Sequence, residues 1–393
     1  MLFNWLYILW IIFQICVAII LLFPLFSYIV YLFTKKKPVT NIETKQNDYA
    51  VIITAFKNSS NLNNVIDSLL KLNHNNYIIY VVADGCPDYY DTYNNEKVVI
   101  IKPEILLSNQ VTSHFLAIQN FKRQHNLLTI IDSDNLVTPG YLTGLDSFFN
   151  MGYEAVQGVR KAKNLDTPYA CLDAMNELYY LFYDRKILFA IGSSSMLSGS
   201  GMAFTVKLFK ECMEKGNSTG AGFDKILQKE IVRKGYRIAF AEDAIILDEK
   251  TARPDQLIKQ RARWNNTWFR YYKFGIYLMG QGIRKAKINR FLFGFILTRP
   301  PLFILLIFSF IIMLINLFFD VNAAITWAFM LLLFLTGFFL ALKKSDTDER
   351  IYKSIVHVPK FIVLQIFSLF KAKKANEYSV ATEHSYNKEI DKI

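Results

Sequence analysis

The chain has 393 residues, 52% of them apolar and 15% aromatic, and carries a net charge of +12. The length allows two or three domains, and an apolar excess gathered at the two ends excludes an ordinary soluble protein. The basic residues border the apolar runs, at 35–37, between 284 and 299, and at 343–344; that is a topology signal and argues against a nucleic-acid partner.

Residues 1–34 contain no charged side chain. A hydrocarbon core takes about 20 apolar residues as helix, so Trp5 to Phe33 crosses with tilt to spare. A cleaved signal peptide is shorter, follows its basic residues and ends at a small-residue site. Here the lysines come after the run. Residues 1–37 therefore read as a signal anchor, with the N-terminus outside and the lysines inside.

Residues 38–252 read as a cytoplasmic domain. The runs at 49–56, 77–84, 97–102, 127–132 and 154–160 are apolar and rich in β-branched residues. Near-continuous apolar strands predict a sheet buried on both faces. Helix-patterned stretches at 61–72 and 114–124 fall between them, and such alternation predicts an α/β fold with an open, mostly parallel sheet. Ligands bind such sheets beyond the carboxyl ends of the strands, where Asp84 and Asp132 both fall. The four cysteines (Cys16, Cys86, Cys171, Cys212) show no CxxC spacing and read as reduced thiols of a cytosolic compartment.

Asp132 and Asp134 form D-x-D directly after one strand. A turn would accept these residues, and a calcium loop would need a glycine and a distal glutamate that are missing. The third reading is a site for Mg²⁺ or Mn²⁺ that offsets the charge of a diphosphate. Next comes the Ser/Gly-rich stretch 193–204, where glycine would let backbone approach a sugar or phosphate and where Ser200 and Gly201 are expected to meet the acceptor. Asp224 then opens a helix that Gly235 ends; it is either an N-cap or a general base. Glu242 and Asp243 follow the next strand and read as a surface turn.

Residues 253–299 read as amphipathic interface helices. Within QRARW, Gln260, Arg263 and Trp264 fall at i, i+3 and i+4 on one helical face. A headgroup anchor would use such a face. A catalytic helix would use it too, Arg263 meeting a leaving diphosphate and Trp264 stacking on an acceptor ring. The uncharged runs 300–319 and 321–342, parted only by Asp320, predict a transmembrane hairpin over 300–344 with its tip outside. Between 351 and 370, Lys353, His357, Pro359 and Lys360 interrupt the pattern, so 345–393 reads as an interfacial helix and a cytoplasmic tail.

Together these pieces resemble the family 2 inverting glycosyltransferases, above all the membrane-embedded branch with cellulose, chitin and hyaluronan synthases. The matching stretches are VIITAF, Asp84 in VVADG, DSDN, SGSGMAF, GFDKILQKEIVRKGYRI and QRARW, in order from about Ala50 to Trp264. The resemblance implies a GT-A domain in a multi-pass protein of the cell (inner) membrane. It implies that Asp84 contacts the base or ribose of a nucleotide-sugar donor, a UDP-sugar, while Asp132 and Asp134 hold metal and diphosphate. Asp224 would deprotonate the acceptor hydroxyl, and Gln260, Arg263 and Trp264 would frame acceptor and diphosphate. The chain departs from the family pattern at Lys57-Asn58, where Asn-Glu is usual, and at Phe223-Asp224, where Glu-Asp is usual.

The reading that follows is transfer to a growing polysaccharide at the cytoplasmic face, with an oligomer or a separate exporter as partner. Transfer of one sugar to a membrane lipid, as in the ceramide glucosyltransferases, is the second reading. A tethered, non-catalytic scaffold is the third, and the retained Asp132, Asp134, Asp224 and Arg263 speak against it. A transporter would need polar residues inside the spans.

Overall fold

The computed structural model describes residues 2–34, 45–89, 93–214, 222–373 and 375. The lysines at 35–37 and the tail beyond 375 lie outside the described residues. Eight strands form one sheet: β1 (Tyr49–Phe56), β2 (Tyr77–Asp84), β3 (Val98–Ile101), β4 (Leu127–Asp132), β5 (Leu136–Val137), β6 (Ala155–Ala162), β7 (Met202–Thr205) and β8 (Ile238–Asp248). Their order is β3-β2-β1-β4-β7-β6-β8-β5. The first four neighbours run parallel, β7 is antiparallel to β4 and β6, and β6 pairs parallel with β8.

The sheet reads as near-continuous apolar strands because both faces are covered. Helix α1 (Leu2–Phe33) precedes it. On one face, Val51 and Ile53 pack with α2 (Leu62–Leu70). On the other, Ala50 and Ile52 share a core with α3 (Gln110–Gln119). Helix α4 (Tyr141–Asn150) joins the first face. In register, Thr54 stands opposite Asp132 and Phe56 opposite Asp84, so the carboxyl ends of β1, β2 and β4 form one edge.

Two expectations shift, and one feature is new. Helix α3 begins at Gln110, earlier than the apolar pattern at 114, because the Asn109 side chain accepts the N–H groups of Val111 and Thr112. Glu242 and Asp243 lie inside β8 and not in a turn, beside an irregularity where its register with β6 shifts between Gln157 and Val159. They are exposed all the same. And α5 (Pro168–Tyr180) runs into a π-helical turn, Leu181–Ile187, a local form that often accompanies function.

A one-turn α6 (Leu188–Ala190), α7 (Val206–Met213) and α8 (Phe223–Lys234) complete the domain. Beyond it, α9 (Pro254–Arg284) and α10 (Ile288–Thr298) form a close pair. A Cβ on Gly275 would stand 2.5 Å from the Gly294 carbonyl oxygen, so only glycine permits this approach. Helices α11 (Leu302–Phe319) and α12 (Val321–Lys344) form the hairpin, and α1 packs against both. The Gln14 side-chain oxygen accepts from Asn316 Nδ2 at 2.7 Å and Trp327 Nε1 at 2.6 Å, tying the three together.

Among the described residues, four helical segments are long and apolar enough to cross a membrane: Trp5–Phe33, Leu302–Phe319, Val321–Lys344 and Glu349–Ala372. The last is not one regular helix. It comprises α13 (Glu349–Lys353), a 3₁₀ turn (Ser354–His357) and α14 (Val358–Ala372). Helix α14 packs along α9, where Asn265 donates to Ser368 Oγ at 2.9 Å and Asn266 to the Ala372 carbonyl at 2.8 Å.

Candidate active site

A cavity of about 460 Å³ lies between the sheet's carboxyl edge, α8, α9 and the foot of α11. Asp132 enters it from the end of β4. Its backbone N–H donates to Ser200 Oγ at 3.0 Å. Asp134 is 9% exposed, and Asn135 Nδ2 reaches both its carboxylate, at 3.4 Å, and that of Asp248, at 3.1 Å. Among the described residues no group of three or more His, Cys, Asp or Glu could hold a metal. Asp132 lines the cavity and Asp134 does not; a carboxylate pair suits Mg²⁺ or Mn²⁺ when substrate phosphates and water complete the shell.

The Ser/Gly-rich loop is fixed by backbone geometry. Gly199 (φ +87°) and Gly201 (φ +67°) take left-handed conformations that favour glycine. The Gly201 N–H donates to the Ile130 carbonyl at 2.9 Å, and its own carbonyl accepts the Gly158 N–H at 2.8 Å. Ser198 and Gly199 line the cavity. Ser200 and Gly201, expected to touch acceptor, are instead buried and bonded to the sheet.

Asp84 is likewise occupied. Its two carboxylate oxygens accept the N–H groups of Leu107 at 3.0 Å and Ser108 at 2.8 Å, fastening the chain that follows β3. It stands at the same sheet edge but outside the cavity lining.

Asp224 lies in the first turn of α8, not at its cap. The cap is Gly222 at φ +97°, where a Cβ would stand 2.8 Å from Tyr271 Cε2 of α9. The Asp224 carboxylate lines the cavity 3.0 Å from Lys225 Nζ. From α9 come Arg263 and Trp264, whereas Gln260 is outside the lining and its buried Oε1 has no partner. Burial lowers the Arg263 pKa, yet an arginine stays charged at neutral pH. Trp264 is 41% exposed, with the Arg261 guanidinium 4.2 Å above its ring.

The sequence pattern did not point to the buried ion pairs around this cavity. Arg185 meets Glu177 at 2.7 Å, Arg299 meets both oxygens of Asp184 at 2.8 and 2.6 Å, and Arg261 pairs with Asp173. Arg160 bonds Asp248 at 2.6 Å and the Ser198 carbonyl at 2.7 Å. Burial pushes the Glu177 carboxyl up, but Arg185, Lys250 and Arg160 outweigh it and hold the group at about 2. One signal was present: Asp184-Arg185 interrupts an aromatic run, and Arg299 abuts Pro300-Pro301 at the start of an uncharged span. Arg299, read as a topology marker, is buried in this network.

A mixed, mostly parallel sheet with acidic residues at its carboxyl edge and an arginine-bearing helix across it defines a GT-A-like transferase fold. Residues 46–267 match the family described as glycosyltransferase like family 2, and the chain belongs to that family. Among solved structures it is similar to the mannosyltransferase PcManGT from Pyrobaculum calidifontis, in complex with GDP-Man and Mn²⁺. That likeness has 14% identity and a TM-score of 0.56, and covers 92% of this chain and 97% of that one. A more distant likeness is to S. aureus TarS 1-349, at 11% identity and a TM-score of 0.40, covering 84% and 90%. No curated protein matches the sequence significantly.

Proposed function

We propose that the chain is a membrane-bound inverting glycosyltransferase, taking a sugar from a nucleotide-sugar donor to an acceptor hydroxyl at the cytoplasmic membrane face. The observation that carries this reading is one cavity lined by Asp132 of β4, Asp224 of α8, and Arg263 and Trp264 of α9. Three separated segments thus bring an acid for the cation, a base, a cation for the leaving group and a ring for the acceptor. Asp224 takes the acceptor proton. The acceptor oxygen attacks the anomeric carbon, the bond to the diphosphate breaks, and the nucleoside diphosphate leaves with the electron pair beside Arg263. Attack opposite the leaving group inverts the anomeric centre. A divalent cation held by Asp132 and Asp134 would neutralise the diphosphate. Asp84 would face the nucleoside, and Ser200 would act by holding the Asp132 main chain. Helices α1, α11 and α12 would span the membrane, with α14 lying in its interface.

A polysaccharide acceptor is the first expectation from the sequence. Transfer to a lipid-borne acceptor gains support from the cavity's reach to Leu302 at the foot of α11. The test offers labelled UDP- and GDP-sugars to membranes carrying the protein, with chelator and with Mg²⁺ or Mn²⁺ restored. One donor should be consumed to an inverted product, with activity lost in chelator and regained with the ion. Full turnover in excess chelator would remove the cation's role; no turnover of any donor, or a retained anomeric centre, would sink the reading.

A further inference from the structure

Asp224 does not stand alone in the cavity. Lys225, its neighbour in the first turn of α8, lines the same wall and holds Nζ 3.0 Å from Asp224 Oδ2. Adjacent helical residues point about 100° apart, so helical geometry by itself does not bring these groups together. The cause lies across the cavity. Lys225 Nζ is also 3.4 Å from the Leu197 carbonyl oxygen, in the Ser/Gly-rich loop. Three residues further along the same face of α8, Gln228 Oε1 accepts the Leu197 N–H at 3.0 Å. Helix α8 thus takes both main-chain polar groups of one loop residue. Gln228 is fully buried and Leu197 is 1% exposed, so the Gln228 half of this clasp is shielded from water, where a hydrogen bond is electrostatically stronger.

The loop carries the connection to the other end of the site. Ser198 donates its N–H to Gln157 Oε1 at 3.0 Å, and its carbonyl accepts Arg160 Nη1 at 2.7 Å. Ser200 Oγ accepts the Asp132 N–H. Residues 197–200 therefore join the helix that carries Asp224 to the strand that carries Asp132. Before the base, packing fixes the chain. The buried Phe223 sits edge-on to the buried His114 of α3, ring centroids 5.2 Å apart, and Gly222 lies against Tyr271. The glutamate usual before the base is replaced by Phe223, so the charged neighbour lies after the base instead. Among the described residues, the ion-pair partner of the Asp224 carboxylate is Lys225.

We propose that Lys225 is a positioning residue for the transfer. Its ammonium, anchored on the Leu197 carbonyl, holds one oxygen of Asp224 and leaves the other for the acceptor hydroxyl. The base is thereby set in register with Asp132 through the loop that both share. Such registration matters because a misplacement of about 1 Å in a reacting group can cost about 10²-fold in rate. This inference deepens the transferase reading above and rests on it.

The experiment measures initial rates with labelled UDP- and GDP-sugars on membranes carrying the full chain. It compares wild type, Lys225→Met, Lys225→Arg, Asp224→Asn and the double variant of Lys225→Met with Asp224→Asn. Lys225→Met keeps the stem and removes the ammonium; it should lower kcat by about 10- to 100-fold with the donor KM unchanged. Lys225→Arg should recover most of that loss, because the contact is to one carboxylate oxygen and needs no fork. In the Asp224→Asn background, Lys225→Met should cost nothing further, since a residue that acts through the base has nothing left to aim. Equal extra loss in both backgrounds would overturn the proposal. So would a wild-type rate for Lys225→Met, or a raised donor KM with kcat intact, which places the amine on the donor. Nucleoside-diphosphate affinity, read by calorimetry, checks the fold of each variant. Should Lys225→Met not fold, Lys225→Arg decides: near the wild-type rate it supports the proposal, and as slow as Asp224→Asn while still binding nucleotide it overturns it. A wild type that consumes no donor would overturn the transferase reading and this proposal together, whereas wild-type turnover with additive losses overturns this proposal alone.

Discussion

Asp224→Asn separates chemistry from structure at the proposed base. The substitution keeps the side chain's shape and removes its charge. Because the α8 cap is Gly222, no capping bond is lost. What is lost is an acid in the first helical turn, worth about 0.3–1 kcal/mol, and a partly exposed pair with Lys225 worth about 0–1 kcal/mol. Against a typical domain stability of about 5–15 kcal/mol the protein stays folded. Removing a general base should slow transfer by about 10²–10⁴-fold, which is roughly 3–5 kcal/mol of barrier. Initial rates with labelled donor should show that loss, while calorimetry shows nucleoside-diphosphate affinity within about 3-fold of wild type, a difference under 1 kcal/mol. The paired change Glu242→Gln with Asp243→Asn should leave most activity, since both residues are exposed on β8 and lie outside the cavity lining. An Asp224→Asn enzyme turning over near the wild-type rate would refute the assignment, as would inactivation by the paired change.

Glu177 gives a pH signature. Its carboxyl sits at about 2 when folded against an ordinary 4.5, so its contribution is complete above that value and is lost as pH falls toward 2. Glu177→Gln should lower the unfolding temperature at neutral pH, with the gap to wild type closing in acid; a gap independent of pH would contradict the assigned ion pairs. Gly222→Ala places a Cβ 2.8 Å from Tyr271 Cε2 at φ +97°, so it should cost about 1–2 kcal/mol from backbone strain alone and displace Asp224. Thermal unfolding and turnover should both fall, and wild-type behaviour in each would show that the turn is not constrained. In a cysteine-free background, a cysteine at the exposed Asn322 should react with an impermeant label from outside intact cells, and one at the exposed Ile105 should not. Labelling at Ile105 would overturn the cytoplasmic placement.

The strands β1, β2 and β4 were legible to the residue because burial on both faces writes a nearly unbroken apolar run into the chain, ended by aspartate in β2 and β4. The long apolar helices Trp5–Phe33, Leu302–Phe319 and Val321–Lys344 were legible for a similar reason, since each excludes charge over a continuous stretch. Glu349–Ala372, read as interfacial, is also long and apolar enough to cross a membrane. Asp132, Asp224, Arg263 and Trp264 could be singled out by residue type and local position, each lying at a strand end, in a first helical turn or on one helical face. Other assignments depended on contacts between distant segments. Ser200 looks like a loop hydroxyl until the sheet buries it against the Asp132 main chain. Asp84 looks free until the segment after β3 returns to take both its oxygens. Asp184 and Arg299 lie 115 residues apart, and nothing local to either announces the other. Local periodicity reports how one segment is solvated, so it can reveal a strand, a span or an exposed face. Which buried arginine pairs with which carboxylate is set only when packing fixes several distant segments around one cavity.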